Sequence, residues 1–181
     1  MTKVDRRVVK SQEAIKKAVI ELMAEKNFNQ ITIQDISDKA NVSRRTIYLH
    51  YLDKYDLLDR LIEEHINELE KLRAASSEMS FIDGGLIWFE YLESHYLFFS
   101  TMLTSQAGVS FHNRFLEFVM EGLKEEVNTQ EGKNQGLSDE VILRFIAAAY
   151  VEVVEWWFNN EMPYPPQIMA KQVGALIERI V

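Results

Sequence analysis

Three residues suited to capping helix N-termini, Thr32, Ser43 and Asp53, follow one another so closely that the chain between them has room only for short helices. Side chains of this kind accept a hydrogen bond from a backbone N–H two or three residues on, a group the helix itself leaves unpaired. Asp35 stands three residues after Thr32, the reciprocal capping position, where its carboxylate also meets the positive end of the helix dipole. The first short helix then carries Ile33, Ile36 and Ala40 on its inward face and stops at Asn41. A sharp turn between helices needs a left-handed residue, and Asn is the most tolerant choice after Gly. Val42 plugs the corner, Ser43 caps the helix RRTIYLHY, and Asp53 caps a long one running on through Leu57, Leu61, Ile62, Leu69 and Leu72. Ahead of these elements, Ile15, Val19, Leu22 and Met23 fall on one face of an amphipathic helix. Asn27 reads as its stop and Phe28 as an anchor beyond it.

Short helix, tight turn, short helix is a helix-turn-helix, whose second helix enters the DNA major groove and whose first residues reach base edges. Those residues here are Arg44, Arg45 and Thr46, with Ile47 and Tyr51 facing inward. Charge agrees with this placement. The chain of 181 residues has a net charge of −8, yet residues 1–54 hold 11 Lys and Arg against 7 Asp and Glu, while the remainder holds 9 against 21. A basic head on an acidic body is the asymmetry of a polyanion binder.

The segment ITIQDISDKANVSRRTIYLHYLDKYDLL resembles the N-terminal DNA-binding domain of the tetracycline-repressor (TetR) family of bacterial transcription regulators. The resemblance rests on Thr32, Ile36, Ala40, Val42, Ser43, Thr46, Ile47, Tyr48, His50, Tyr51, Lys54, Leu57 and Leu58. Asn41 departs from the family's usual Gly, and Leu49 stands where a longer or polar residue is common. The resemblance implies that Thr32, Tyr48 and Lys54 meet phosphates, which sets register without reading sequence. Ser43 belongs to the same DNA-facing set. Arg44 and Arg45 are the candidates for base edges, since a guanidinium pairs with guanine O6 and N7. Thr46 is assigned to a thymine methyl or a phosphate, and His50 either to a phosphate or to bracing the helix.

Residues 55–181 read as a second all-helical layer, with 55–75 as a connecting helix and 1–54 as the head. Two helical segments lie within SFIDGGLIWFEYLESHYLFFSTML, a third within GVSFHNRFLEFVMEGLKEEV and a long apolar one within DEVILRFIAAAYVEVVEWWFNN. NTQEGKNQGLS reads as a loop, MPYPP as a break, and QIMAKQVGALIERIV as the closing helix. Small residues beside paired tryptophans in the last two helices, together with the resemblance, imply a homodimer through Ala148, Val151, Glu155, Trp156, Gly174 and Ile177. A dimer sets two recognition helices about 34–36 Å apart, or a multiple, and so reads a palindromic operator in double-stranded DNA. By the same resemblance a small-molecule effector of unknown identity sits in the body. Trp88, Tyr91, His95, Phe99, Phe111 and Phe115 are its candidate lining, with Tyr91 and His95 as polar handles. An aromatic stripe at helical spacing is also what plain core looks like.

Other functions find little support. No cysteine is present, which removes thiol nucleophiles and thiolate metal sites. His50, His65, His95 and His112 are scattered without metal-ligand spacing, and no Gly-rich phosphate loop or nucleophile elbow occurs. The expectation is therefore no enzyme, no catalytic residue, no metal and no cofactor. No uncharged apolar run approaches the ~18 residues of a membrane span, nor does the N-terminus carry a secretory signal. Together with the resemblance, that implies a cytoplasmic, nucleoid-associated bacterial protein without membrane contact. The rivals are a sensor acting through a partner protein without touching DNA, and an architectural binder of many sites with no effector.

Overall fold

The computed structural model describes residues 6–104, 109–124, 126–127 and 134–181. Every regular element among them is helical. The order is α1 (Arg6–Glu25), α2 (Ile33–Ala40), α3 (Arg44–His50), α4 (Lys54–Ala75), α5 (Phe81–Ser94), α6 (Tyr96–Thr104), α7 (Val109–Leu123), α8 (Asp139–Asn159) and α9 (Pro166–Glu178). No described helix is long and apolar enough to cross a membrane. The chain divides into two compact units between His65 and Ile66.

In the first unit α1 packs on α2 and α3. Its core is Ile15, Val19, Ile36, Ile47, Leu57 and Ile62, all fully buried. The apolar spacing of α1 predicts this face correctly. The stop after α1 is more elaborate than a single Asn. The helix ends at Glu25, the Asn27 side chain accepts from the Asn29 N–H at 2.9 Å, and Phe28–Gln30 form one 3₁₀ turn that buries Phe28.

In the second unit α5 lies along α9, and α8 packs against α6 and α7. Gly174 makes the α5–α9 approach possible, since a Cβ there would come within 2.9 Å of the Ile82 backbone. The core is aromatic, with Phe89, Phe99, Phe111, Phe115 and Trp157 fully buried. Trp157 buries its indole and still satisfies its N–H, which donates to the Tyr164 carbonyl at 2.7 Å. That bond ties α8 to the turn before α9, where Glu161 and Met162 take positive φ of 56° and 53°. Of the expected polar loop, residues 128–133 lie outside the described residues, and Asn134 to Ser138 form turns leading into α8.

Candidate functional site

The helix-turn-helix is built by its caps. Thr32 accepts from the Asp35 N–H at 3.1 Å, and the Asp35 carboxylate accepts from the Thr32 N–H at 2.8 Å, so each residue closes the other's unpaired donor. The Thr32 hydroxyl also donates to that carboxylate at 2.8 Å, so both Thr32 groups serve the cap. These bonds, the Thr32 N–H first and Lys26 Nζ at 3.0 Å next, hold the Asp35 carboxyl down to about 2. At the turn, Asn41 adopts the left-handed conformation, φ 52° and ψ 45°, and the Ser37 hydroxyl donates to the Val42 carbonyl at 2.6 Å. Ser43 then accepts from the Thr46 N–H at 3.1 Å, and the two hydroxyls lie 2.8 Å apart.

The cap and the buried Ile47 fix which face of α3 looks outward. Arg44 and Arg45 are exposed at its first turn, and neither makes a hydrogen bond or ion pair among the described residues. Tyr48 is exposed on the same helix, beside Leu49, which is 72% exposed. His50 is half-buried, its ring 6.2 Å from that of Tyr51. Tyr51 is buried beneath Arg60, whose guanidinium stands 5.9 Å from the ring. Leu52 and Tyr55 add further exposed side chains just beyond α3, at 80% and 54%. Sequence reading passes over them, although both fall off the inward stripe of Leu57 and Leu58.

Lys54 departs from the expectation of a free phosphate anchor. Its Nζ donates to the carbonyls of Phe28 at 3.0 Å, Asn29 at 3.0 Å and Ile31 at 2.8 Å. It also stands 5.0 Å from the Phe28 ring centroid and 5.3 Å from that of Tyr55. Three protons meet three acceptors, so the ammonium is committed to the segment that leads into α2. The Phe28 carbonyl already accepts from the Ile31 N–H at 3.1 Å, and the capped start of α4 delivers Lys54 to it and to the carbonyls of Asn29 and Ile31. Asp53 supplies that cap, accepting from the N–H groups of Tyr55 at 2.8 Å and Asp56 at 2.9 Å.

The second unit contains a cavity of about 290 Å³. Of the six aromatic candidates for its lining, Trp88 alone borders it. Phe99, Phe111 and Phe115 are solid core, with Phe111 and Phe115 stacked at 5.5 Å. Tyr91 and His95 are one turn apart as expected, but their rings lie against each other, tilted by 39° with centroids 4.2 Å apart, and neither borders the cavity. Two further residues escape the sequence reading. Tyr150 borders the cavity with its hydroxyl buried, and Arg73 contributes its side chain from α4. The signal for Tyr150 was present, a phenol on the otherwise aliphatic inward stripe of Ile146, Ala147 and Val154.

The proposed dimer residues also separate. Ala148 and Trp156 are exposed on α8. Val151 is buried in its own subunit, Gly174 sits against Ile82, and Ile177 borders the cavity. Glu155 is held within the unit, accepting from His112 Nδ1 at 2.6 Å. The exposed face of α8 carries Val141, Phe145, Ala148, Ala149 and Trp156 together with the charged Arg144 and Glu152, and the large apolar side chains exposed on α9 are Ile168 and Leu176.

Comparison with known proteins agrees with this geometry. The family model described as bacterial regulatory proteins, tetR family, matches residues 15–61, and the TetR family model described as transcriptional regulator C-terminal region matches 80–179. An uncharacterized HTH-type transcriptional regulator, YxbF of Bacillus subtilis (strain 168), is 42% identical over 80 residues, which is 43% of this chain and 21% of that protein. The chain thus spans about a fifth of that relative's length. A TetR transcriptional regulator from Streptococcus agalactiae 2603V has a similar structure at 23% identity and TM-score 0.73, covering 96% of each chain. FadR from Bacillus subtilis in complex with stearoyl-CoA is similar at 22% identity and TM-score 0.67, covering 91% of this chain and 96% of that one. These likenesses concern the fold. A capped helix-turn-helix, an all-helical body and two family matches that together take in most of the sequence lead to one conclusion: the chain belongs to the TetR family of bacterial transcription regulators.

Proposed function

We propose that this chain acts as a homodimer that binds a palindromic operator through residues 1–54, represses transcription by occupying it, and releases it when a small molecule binds within residues 55–181. The observation that carries the reading is the pair Arg44 and Arg45, exposed and uncommitted on the first turn of a helix whose cap and buried face fix its orientation. Guanidinium groups so presented suit guanine edges. Tyr48 serves as a phosphate contact, and Thr46 and His50 stand close enough on α3 to join it. Thr32 contributes by capping α2, which employs its hydroxyl, more than by a phosphate contact. Twofold symmetry of the protein calls for twofold symmetry of the site. The uncovered apolar stripe of α8 and α9 supports the dimer. The cavity supports an effector, and FadR's complex with stearoyl-CoA gives a precedent on a similar fold. The protein then works in the cytoplasm, on the nucleoid.

The test is fluorescence anisotropy with the DNA flanking its own gene, over a salt series, beside an Arg44→Ala/Arg45→Ala variant. Expected are selective binding, affinity that falls steeply with salt, and loss of selectivity in the variant. If flanking DNA fails, selection from random duplexes follows. Failure there as well removes the DNA-binding reading and leaves a sensor acting through a partner protein. Repression is read from a reporter placed behind the recovered operator.

A further inference from the structure

The cavity of the second unit is bordered by the end of α4 and by α5, α7, α8 and α9. Its wall is largely apolar, with Phe89, Val119, Leu123, Val173 and Ile177 among the lining side chains. Arg73, near the end of α4, is the single cation on that wall, and it is half-buried. A charge taken partly out of water needs a partner. Other arginines find one on their own helices: Arg60 pairs with Asp56 at 2.9 Å and Arg144 with Glu140 at 3.2 Å. Arg73 makes no ion pair among the described residues.

What Arg73 has instead is a fixed seat on α7. Its guanidinium stands 5.0 Å from the centroid of the Phe118 ring, and its Nη1 donates to the Phe118 carbonyl at 3.3 Å. Gly122, one turn further along α7, makes room for it. A Cβ there would come within 3.1 Å of Arg73 Cδ and 3.3 Å of Nη1. An aromatic face attracts the cation without neutralising it. A guanidinium carries five N–H donors in a rigid fork, and one of them is spent here. The charge is thus held in place with donors to spare.

The other polar groups on the wall do not compete for an anion. Ser76 donates to the Leu72 carbonyl at 2.9 Å, Ser77 to the Ala74 carbonyl at 3.2 Å and Ser80 to the Asp83 carboxylate at 2.9 Å. Trp88 Nε1 and the Tyr150 hydroxyl are sealed from the space. Glu126 and Glu178 border it as well, and both are exposed to water. Solvated carboxylates at a distance are screened, whereas an oxygen in contact with the guanidinium is not. Arg73 can answer one ligand carboxylate. A second anionic group would find only Glu126 and Glu178. The volume, about 290 Å³, lies at the small end of ligand sites.

We propose that this cavity binds a compact, apolar monocarboxylate, its carboxylate taken by the Arg73 guanidinium and its body by the apolar wall. The fork of N–H donors matches the two carboxylate oxygens. This deepens the effector reading and rests on it.

The experiment uses full-length protein, calorimetry without DNA, and two acids each beside its neutral amide: octanoate with octanamide, and 2-naphthoate with 2-naphthamide. One flexible and one flat body separate the shape the cavity takes from the charge it takes. At least one acid binds, roughly tenfold or more tightly than its amide, the gain of charge-assisted hydrogen bonds. Octanedioate, with a second carboxylate at equal length, binds more weakly than octanoate. Arg73→Gln brings acid and amide to equal affinity and leaves amide binding unchanged. Arg73→Lys keeps the charge and retains part of the preference. Were Arg73 only a brace on Phe118, its removal would lower the melting temperature and weaken acid and amide alike. Equal binding of acid and amide by the wild type, tighter binding of octanedioate, a preference that survives Arg73→Gln, or no binding by either pair overturns the proposal. The wild-type comparison decides even where Arg73→Gln fails to fold. Since DNA is absent, any of these leaves operator recognition standing. Failure to bind operator, conversely, removes the regulator reading and leaves the ligand class intact.

Discussion

Lys54 shows how far a residue's position and its employment can differ. It lies where the family pattern places a phosphate contact, yet its ammonium donates to the carbonyls of Phe28, Asn29 and Ile31. The two roles predict different behaviour. Removing a phosphate contact makes the dependence of log K on log salt shallower by about 0.9. Removing a brace lowers stability and leaves that slope alone. Lys54→Met keeps the aliphatic stem and deletes the charge. It should lower stability by about 1–3 kcal/mol in urea unfolding, the loss of hydrogen bonds from a charged donor, with the salt slope unchanged. A shallower slope at unaltered stability would return Lys54 to the phosphate. Asp35 gives a second prediction at this scale. Its carboxyl is held down to about 2 from an ordinary 3.8, so the folded state prefers the carboxylate. The stability it adds is fully present above the ordinary value and is lost as pH falls from there through 2. Unfolding midpoints of wild type and Asp35→Asn should therefore differ by a constant amount at pH 5 and above and converge toward pH 2.

At the scale of the element, the α2–α3 turn depends on one backbone conformation. Asn41 stands left-handed at φ 52°, which costs an L-residue about 1–2 kcal/mol that glycine does not incur. Asn41→Gly should raise stability by some tenths of a kcal/mol up to about 1, offset in part by the unfolded chain's greater freedom, while Asn41→Val should lower it. Thermal unfolding checks both, and equal melting temperatures for Gly and Val would show that the turn does not need this conformation. The turn was legible in the sequence because its physics is local: Thr32, Asn41, Ser43 and Asp53 act on atoms a few residues away. The partners of Lys54 were not, because they are carbonyls more than twenty residues away that come together only where the chain turns between α1 and α2. The cavity was least legible of all. Gly84, Gly122 and Tyr150 lie on three different helices, and nothing in any one helix says that they share a wall.

At the scale of the whole molecule, the same limit governs the proposed dimer. The sequence of α8 mixes large apolar residues with the charges Glu140, Arg144, Glu152 and Glu155, and its spacing alone cannot say which apolar residues its own subunit covers. Val151, Gly174 and Ile177 are occupied within the subunit, whereas Phe145 is 65% exposed, Trp156 42% and Leu176 54%. Large apolar side chains left uncovered along two consecutive helices form the kind of patch that marks an interface. Burying a Phe or Leu side chain is worth about 1.5–3 kcal/mol, so a few such residues from each of two copies suffice to hold a pair. A charge on this stripe is harmless to the monomer, which already leaves it in water, but is expensive once a second copy covers it. Phe145→Glu together with Trp156→Glu should therefore yield a helical, cooperatively folding monomer by light scattering and circular dichroism. Its operator affinity should fall roughly 100-fold or more, because each head must then bind its half-site without the other. A variant that stays dimeric would move the interface off α8. A monomer that still binds the full operator at wild-type affinity would mean that the two heads do not act as a pair.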